Sequence, residues 1–335
     1  MAKFDIITIG GAIKDFTLYT NQGKVFNTPQ NLTAQKMLAF EYGAKFLIKD
    51  VSLNFGGGAS NAAVALAKLN LKTAIITHLG NDEISREVSA NLKQHKVSTD
   101  LITFDRLNPT GFSFIIAVDK KEREHVAFSC RNSDEYLKIT PASLAKVKTD
   151  WFYITSLYGK NWQTNLKAVF KFARDNNIKV AWNPGTQQLQ AGKRIIGEFI
   201  KQTTVLVLNK DEAIELVLSG IKLGKKSPNY LNRHVYLLNI LQEWGPKIVV
   251  ITDGAKGAWA YDGKKIYHQK VVKAKIIDTT GVGDAFGSSF VSGLIKHHFN
   301  ISKALRRGAI NSSAVTKEIG AQNGLLTEKK LLEKL

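Results

Sequence analysis

The segment DTTGVGDAFG, from Asp278 to Gly287, surrounds one carboxylate, Asp284, with glycines and threonines where a helix is predicted to begin. The following residues place Phe286, Phe290 and Leu294 on one stripe, which predicts a buried helix. Two interpretations are open. A helix start tolerates an acid, so the segment fits a tight turn followed by a capped helix. It also fits an anion cradle of consecutive N–H groups, from Gly281 to Asp284, with Asp284 as a base.

Outside this segment, short β-branched runs alternate with helical patterns. Buried strands are predicted for FDIITIG (4–10), KTAIITHLG (72–80), DWFYITS (150–156), IKVAWNP (178–184), TTVLVLN (203–209) and KIVVITDG (247–254). Helices are predicted over 59–69, 83–94, 161–176, 210–218 and 230–244. This alternation predicts an α/β fold with a doubly wound, mostly parallel sheet flanked by helices. Ligands are expected at the carboxyl ends of its strands.

Two stretches interrupt the alternation. Residues 15–55 end in the alternating pattern KFLIKDVSLNF, and residues 104–130 contain GFSFIIAVDKKEREHVAFS, which is typical of a hairpin. Neither stretch has a helix of its own to cover it. We therefore predict a single α/β domain over residues 1–335, with a small β lid formed by segments within 15–55 and 104–130.

The amino-acid composition indicates which kinds of partner and which compartment to expect. The 335 residues are 44% hydrophobic and carry a net charge of +19, which is typical of proteins with polyanionic partners. However, only 9 of the 47 cationic residues are arginine, and the lysines are scattered, so we expect a solvated lysine surface and no dedicated nucleic-acid partner. The single cysteine, Cys130, indicates a reducing compartment. No signal peptide or long apolar run is evident, so we expect a cytoplasmic protein without a membrane partner.

Other glycine-rich segments were compared with known phosphate-binding patterns. Gly10 and Gly11 follow the first strand, but no third glycine completes a dinucleotide fingerprint, and no P-loop pattern occurs. FGGGASNAAVALAKLN, residues 55–70, places three glycines before an amphipathic helix with Asn61 in its first turn. Helix packing accounts for the alanines but not for three successive glycines. Close backbone approach and a side-chain amide favour binding of a polyol.

The segments GGGASNAA and DTTGVGDAFGSSF together resemble the paired signatures of the ribokinase (PfkB) carbohydrate kinases, and the resemblance spans nearly the whole chain. LNKDEA (208–213) resembles the N-x-x-E element of that family, and ITDGAKGA (251–258) is similar to its nucleotide-binding strand and turn. The resemblance implies an ATP-dependent kinase that phosphorylates a primary hydroxyl of a sugar or sugar-like acceptor. It also implies Mg²⁺ and, as in many members, a monovalent cation such as K⁺.

The resemblance implies a role for each matching residue. The implied roles are a catalytic base, Asp284, with an anion hole at Gly281, Val282 and Gly283; acceptor binding by Asp15, Gly56, Gly57 and Asn61; nucleotide binding by Asn209, Thr252, Gly254, Gly257 and Asn311; magnesium binding through water by Glu212; and a monovalent-cation loop with Asp278 and Thr280. Val282 replaces the commoner alanine, with little expected consequence because the backbone N–H does the work.

Several of these residues have a second interpretation. Asn209 and Glu212 also fit a helix cap with its capping-box partner, and Asp15 also fits a turn cap. Arg131 and Asn183 are further candidates for contact with the acceptor, and a surface or turn role fits each of them equally well.

The acceptor itself is not determined by the sequence. A nucleoside kinase of the adenosine type shares every feature above and differs only in its acceptor pocket. A non-enzymatic binding protein on this fold would need a damaged catalytic set, whereas Asp284, Asn209 and Glu212 are all present. The uncovered lid is compatible with a homodimer formed through it.

Overall fold

The computed structural model describes residues 3–28, 30, 36–118, 125–222 and 228–335; the turn of the predicted hairpin, 119–124, lies outside them. In chain order the strands are β1 (Phe4–Ile9), β2 (Ile13–Tyr19), β3 (Lys24–Asn27), β4 (Lys36–Ala39), β5 (Asp50–Gly56), β6 (Thr73–Ile76), β7 (His78–Gly80), β8 (Thr103–Asp105), β9 (Phe112–Ala117), β10 (His125–Cys130), β11 (Thr149–Ile154), β12 (Lys179–Trp182), β13 (Val205–Asn209), β14 (Ile248–Thr252), β15 (Ala258–Tyr261) and β16 (Ile266–Gln269). The helices are α1 (Gly58–Lys68), α2 (Glu83–Gln94), α3 (Pro141–Leu144), α4 (Trp162–Asp175), α5 (Thr186–Gln202), α6 (Lys210–Leu218), α7 (His234–Glu243), α8 (Val282–Lys296), α9 (Ile301–Val315) and α10 (Glu328–Leu332).

The main sheet has eight strands in the order β16-β15-β14-β13-β12-β11-β1-β6. The six strands from β6 to β14 run parallel, and β15 and β16 extend the sheet antiparallel. Because side chains alternate along a strand, Ile6 of β1 packs in the core beneath α8 and α9, whereas Ile7 packs in the core beneath α4 to α7. Helices cover both faces, which confirms the predicted α/β architecture.

A second sheet, called the small sheet below, has the strand order β10-β9-β2-β5. Its register places Asp15 beside Ser113 and Asn54 on one face, and Phe16 beside Leu53 and Phe114 on the other. Side-chain contacts join it to α2 and to the C-terminal loop of the main body. Lys14 forms an ion pair with Glu87 of α2, and the Asn323 amide donates to Asn54 Oδ1 at 3.1 Å.

Some predicted elements are corrected by the structure. The run 72–80 is two strands, because the chain leaves the main sheet after Ile76 and β7 pairs with β8. The last helix of the predicted set begins at His234 rather than at residue 230, after a separate 3₁₀ turn at Pro228–Asn232. Within the described residues, no helix combines the length and the apolar character needed to cross a membrane.

Candidate active site

The start of α8 is shaped by Gly281. Its φ of 72° lies in the left-handed region, and a Cβ there would come within 2.3 Å of the Ala321 Cβ, so only glycine fits. This turn points the chain into α8 and places Asp284 in the first helical turn. A Cβ on Gly283 would meet open space, which leaves the backbone accessible at this point. The N–H of Val282 donates weakly to the Thr279 carbonyl at 3.4 Å.

A cleft of about 230 Å³ opens in front of Asp284. Its lining residues are Asn183, Val207, Leu208, Asn209, Glu212, Thr252, Gly281, Gly283 and Asp284. They lie at the carboxyl ends of β12, β13 and β14 and at the starts of α6 and α8, and the carboxyl ends of strands are where ligands bind in open α/β sheets. The structure thus brings together predicted residues from four separate segments.

Asp284 is linked directly to the second glycine motif. Asn61 Nδ2 donates to Asp284 Oδ2 at 2.8 Å, although the two residues are 223 positions apart. Removal from solvent raises the pKa of Asp284 to about 6; the Asn61 hydrogen bond opposes this shift, and the charge of Asp15 adds to it. Such a pKa suits a group that takes up a proton near neutral pH.

Asp15 occupies the inward face of the small sheet. Its side chain is buried and accepts a hydrogen bond from Ser113 Oγ. Burial raises its pKa to about 6, while Ser113 and the charge of Arg131 oppose the shift and the charge of Asp278 adds to it. Asp15 lies within β2 and not at a turn, so the turn-cap interpretation does not fit, and its role in acceptor binding stays a prediction.

The glycines of the FGGG segment lie close to neighbouring groups. A Cβ on Gly56 would meet Asp15 Oδ2 at 2.0 Å, and Gly57, with φ of 88°, lies against the Gly11 carbonyl. A Cβ on Gly58 would contact the Thr155 side chain at 3.1 Å. Our expectation that packing leaves three successive glycines unexplained was wrong, because each one permits a close approach. A role for Gly56 and Gly57 in acceptor binding stays a prediction.

Arg131 lies beside Asp15 and a carboxylate that the sequence did not reveal. Its guanidinium stacks 3.9 Å from the ring centre of Tyr158, and Nη2 donates to Tyr158 Oη at 3.0 Å. The unpredicted residue is Asp134, which is buried and whose pKa burial raises to about 7, with the Arg131 charge opposing the shift. No local pattern marks Asp134, since its position depends on the close approach of Gly11.

Asn209 and Glu212 form a capping box and also line the cleft. Glu212 N–H donates to Asn209 Oδ1, and Asn209 N–H donates to Glu212 Oε2, both at 2.8 Å. Removal from solvent raises the pKa of Glu212 to about 7; its hydrogen bond from the Asn209 N–H opposes the shift, and the charge of Asp284 adds to it. The two interpretations of this element are therefore compatible.

Mg²⁺ fits this arrangement. Among the described residues, no group of three or more His, Cys, Asp or Glu side chains could hold a metal alone. Mg²⁺ usually keeps several waters and takes one or two carboxylates together with substrate phosphates. Glu212 lines the cleft together with Asp284, and the charge of Asp284 raises the pKa of Glu212, so a cation held by Glu212 would relieve this repulsion.

The predicted nucleotide-binding segment is partly open. Thr252 lines the cleft, and Gly254 (φ 45°) has open space beside it, whereas Gly257 is packed against the Gln269 carbonyl. Asp253 between them contacts three basic side chains. These are His234 Nε2 at 2.9 Å, Lys256 Nζ at 3.3 Å and Lys210 Nζ at 3.7 Å.

Two further predicted residues have internal partners. Asn311 is fully buried, donates to Ser289 Oγ at 2.7 Å and accepts from the Leu326 N–H at 2.9 Å, so its side chain does not reach the cleft. Asn183 lines the cleft and donates to the Val207 carbonyl at 3.0 Å. The geometry favours a supporting role for Asn311 over the direct purine contact that the resemblance implies.

The predicted monovalent-cation loop is held together by Asp278. Its Oδ1 accepts from the N–H and the hydroxyl of Thr280, at 2.9 and 2.8 Å, and its Oδ2 accepts from the Gly320 N–H at 2.8 Å. The buried carboxylate therefore joins the segment before α8 to the loop after α9.

Gln322 and Tyr153 also interact with residues of the site, and the sequence did not reveal either of them. Gln322 contacts Asn61 from the side opposite Asp284. The Tyr153 hydroxyl is buried, and burial together with the charges of Asp284 and Glu212 raises its pKa above the ordinary value. Both depend on contacts between distant segments and lack a local signature.

Comparison with known proteins extends the similarity over most of the chain. The sequence profile of the pfkB family carbohydrate kinases matches residues 31–328. A ribokinase of Haemophilus influenzae is 27% identical over 289 residues, which cover 85% of this chain and 88% of that protein.

Solved structures share the fold at low sequence identity. A Burkholderia thailandensis nucleoside kinase in complex with inosine has a TM-score of 0.78 and 17% identity, covering 98% of this chain and 97% of that one. An Arabidopsis thaliana ribokinase complexed with ribose and ATP has a TM-score of 0.76 and 18% identity, covering 99% and 98%.

Proposed function

The chain belongs to the pfkB family of carbohydrate kinases and is an ATP-dependent sugar or nucleoside kinase, and we propose that it phosphorylates a primary hydroxyl with Asp284 as the catalytic base. One observation carries the proposal. A carboxylate with a pKa of about 6 stands at the start of α8, beside the open backbone of Gly283, in a cleft at the strand ends.

The geometry supports a direct transfer. The acceptor hydroxyl gives its proton to Asp284 as its oxygen attacks the γ-phosphorus, and the bond from that phosphorus to the bridging oxygen breaks to leave ADP. Charge on the outer phosphoryl oxygens is stabilised by the first N–H groups of α8, from Gly281 to Asp284. Magnesium, when bound, neutralises charge on the β- and γ-phosphates.

The acceptor and the nucleotide are assigned to opposite sides of Asp284. Asp15 would accept hydrogen bonds from acceptor hydroxyls, with Asn61 and Arg131 beside it. Asn209, Thr252 and the open turn at Gly254 would contact the nucleotide. Glu212 would hold Mg²⁺ through water, and the Asp278–Thr280 loop would hold a monovalent cation.

We further propose that the small sheet is a lid on a single domain. Its inward face carries Asp15 and Ser113, and closure over the cleft would exclude water that competes with the acceptor. Its outward face is apolar, and we propose that a second copy of the chain covers it. Use of ATP and the single free cysteine, Cys130, are consistent with a cytoplasmic location.

A nucleoside acceptor is the second candidate. The Arg131–Tyr158 stack lies near Asp15 and offers a flat surface on which a base could stack. A pentose or hexose would use the hydroxyl-binding groups alone.

One screen tests the proposal. ADP formation is measured with ATP and Mg²⁺ in the presence of pentoses, hexoses, keto-sugar acids and nucleosides, using the wild type and Asp284→Asn. We expect one acceptor class to stimulate ADP formation in the wild type only. Stimulation that is equal in Asp284→Asn would reject Asp284 as the base, and no stimulation by any of these acceptors would reject the substrate assignment.

A further inference from the structure

A chain of buried side-chain amides leads away from Asp284. Asn61 Nδ2 donates to Asp284 Oδ2, and Asn61 Oδ1 accepts from Gln322 Nε2 at 3.0 Å. Gln322 Nε2 also donates to Ser60 Oγ at 3.1 Å, and Gln322 Oε1 accepts from Asn91 Nδ2 at 2.8 Å. Asn61, Gln322 and Asn91 are each less than 10% exposed. These hydrogen-bonded side chains connect α2, the C-terminal loop, α1 and α8.

The direction of every amide in this chain follows from the ionised carboxylate. A carboxylate only accepts hydrogen bonds, so Asn61 must turn its NH₂ towards Asp284 and its oxygen towards Gln322. That oxygen requires a donor, which is the Gln322 NH₂. The Gln322 oxygen then faces Asn91, which must donate. Reversing any one amide would place two oxygens or two NH₂ groups against each other.

We propose that Gln322 is a positioning residue that orients the Asn61 amide so that it donates to the catalytic carboxylate of Asp284. Both protons of the Gln322 NH₂ and its oxygen are engaged, so its side chain cannot rotate without losing three hydrogen bonds. Without this anchor, the Asn61 amide is free to present its oxygen to Asp284. The inference rests on the proposed role of Asp284 as the base.

The expected effect appears in the protonation of Asp284. The Asn61 hydrogen bond favours the ionised form, whereas Asp15 of β2 disfavours it. Among the residues that the structure describes, Glu212 of α6 and Tyr153 of β11 also interact electrostatically with Asp284. The Asn61 hydrogen bond counteracts the effect of the acidic neighbours on the pKa of Asp284. If that hydrogen bond is lost, the pKa of Asp284 should rise.

The loop that carries Gln322 has other anchors. Lys68 Nζ donates to the Gln322 and Leu325 carbonyls, at 3.3 and 3.2 Å, and the Gly320 N–H donates to Asp278. A change of the Gln322 side chain should therefore leave the path of the loop in place.

Two variants test the proposal. Gln322→Met keeps the length of the side chain and removes its polar atoms, and the acid limb of the kcat–pH profile should move to higher pH by about one unit. Gln322→Glu is nearly isosteric but can only accept when ionised, so it should draw the Asn61 NH₂ away from Asp284 and give a larger shift. Asn239→Ala removes an amide on α7 that takes no part in this hydrogen-bonded network, and it should leave the profile unchanged.

A second measurement does not depend on turnover. The Asp284 carboxyl is titrated by ¹³C NMR in protein labelled at aspartate Cγ, and Asp284→Asn identifies its resonance. An upward shift of this titration in both Gln322 variants supports the positioning role. An unchanged titration and pH profile, with only a lower Tm, overturns it. If the wild type phosphorylates no acceptor, the proposed function fails, while the NMR titration still decides the role of Gln322.

Discussion

Asp284 stands where two physical effects oppose each other. A helix start favours a negative charge, yet removal from solvent raises the pKa of this carboxyl from 3.8 to about 6. Asp284→Asn preserves the shape but cannot take up a proton, so kcat should fall by about 10²–10⁴-fold. Steady-state rates and an ATP-binding titration check this. A variant that retains more than half of the wild-type kcat would place the base elsewhere.

The same substitution should stabilise the fold at alkaline pH. The pKa of Asp284 is raised in the folded state, so the folded protein holds the proton more tightly than the unfolded chain. The stabilisation that this gives to the folded state is present below pH 3.8 and is lost as the pH rises to about 6. At pH 8 the asparagine variant should be more stable by about 1–3 kcal/mol, and near pH 4 the difference should vanish. Denaturant unfolding at both pH values measures this, and a less stable variant at pH 8 would contradict it.

Glu212 combines a structural and a proposed metal role, and one substitution separates them. Gln can still accept the Asn209 N–H bond at the third helical position, so Glu212→Gln should preserve the cap of α6. It removes the negative charge, so the Mg²⁺ concentration for half-maximal rate should rise. Magnesium titrations with thermal melts test this. Superimposable titrations with a lower Tm would leave only the capping role.

At the scale of elements, the sequence predicted what local patterning determines. The helices 83–94 and 210–218 match the structure because each begins with a polar cap and carries a clear apolar stripe. Thr186–Gln202 was missed because its helical pattern is polar and broken at Gly192, where φ is 70°. The antiparallel pair β15 and β16 was missed because each strand has only four residues.

The site was predicted less completely than the fold. Asp284 and Asn61 lie in glycine-rich segments that can be recognised from the sequence alone. Asp134, Tyr153 and Gln322 have no such mark, because they reach the site through contacts with segments far away along the chain, such as the 261 positions between Asn61 and Gln322. One sequence without coordinates gives no information on such pairs.

Strand β2 carries Asp15, which we propose binds the hydroxyl groups of the acceptor. Asp15→Ala should raise the acceptor KM by about 10–100-fold and change the ATP KM little, because a hydrogen bond to a charged group contributes about 1.5–3 kcal/mol. Thr17→Val, on the same face of β2, is the matched control and should leave both constants unchanged. Kinetics with each substrate varied in turn decide the matter. An unchanged acceptor KM and kcat in Asp15→Ala would limit Asp15 to a structural role.

The chain as a whole is basic, whereas several carboxyl groups lie at or near its candidate site. Four carboxyl groups with raised pKa values, those of Asp15, Asp134, Glu212 and Asp284, lie at or near the site, whereas the chain as a whole carries a net charge of +19. The net positive charge of the chain favours the approach of a polyanion such as ATP.

The two faces of strand β2 in the small sheet differ: one faces the candidate site, and the other is the face that we propose a second copy of the chain covers. Asp15 points towards the site, and its neighbour Phe16 points outwards with an apolar set on all four strands. The outward set is Phe16, Leu18, Val51, Leu53, Phe114, Ile116, Val126 and Phe128. Leu53 and Phe128 are 55% and 56% exposed, and an apolar patch of this kind is typical of an interface.

We expect Phe128→Asp to convert a dimer into a monomer, since a charge on this face opposes its burial against a second copy. Because Phe16 and Asp15 are adjacent on β2, loss of the partner should also loosen the lid and raise the acceptor KM. Val235→Asp, which adds the same charge at an exposed position on α7, is the control and should change neither property. Sedimentation velocity with parallel kinetics checks both effects. A wild type that sediments as a monomer at high concentration would contradict the proposed dimer, and a monomeric Phe128→Asp with unchanged acceptor KM would separate assembly from lid function.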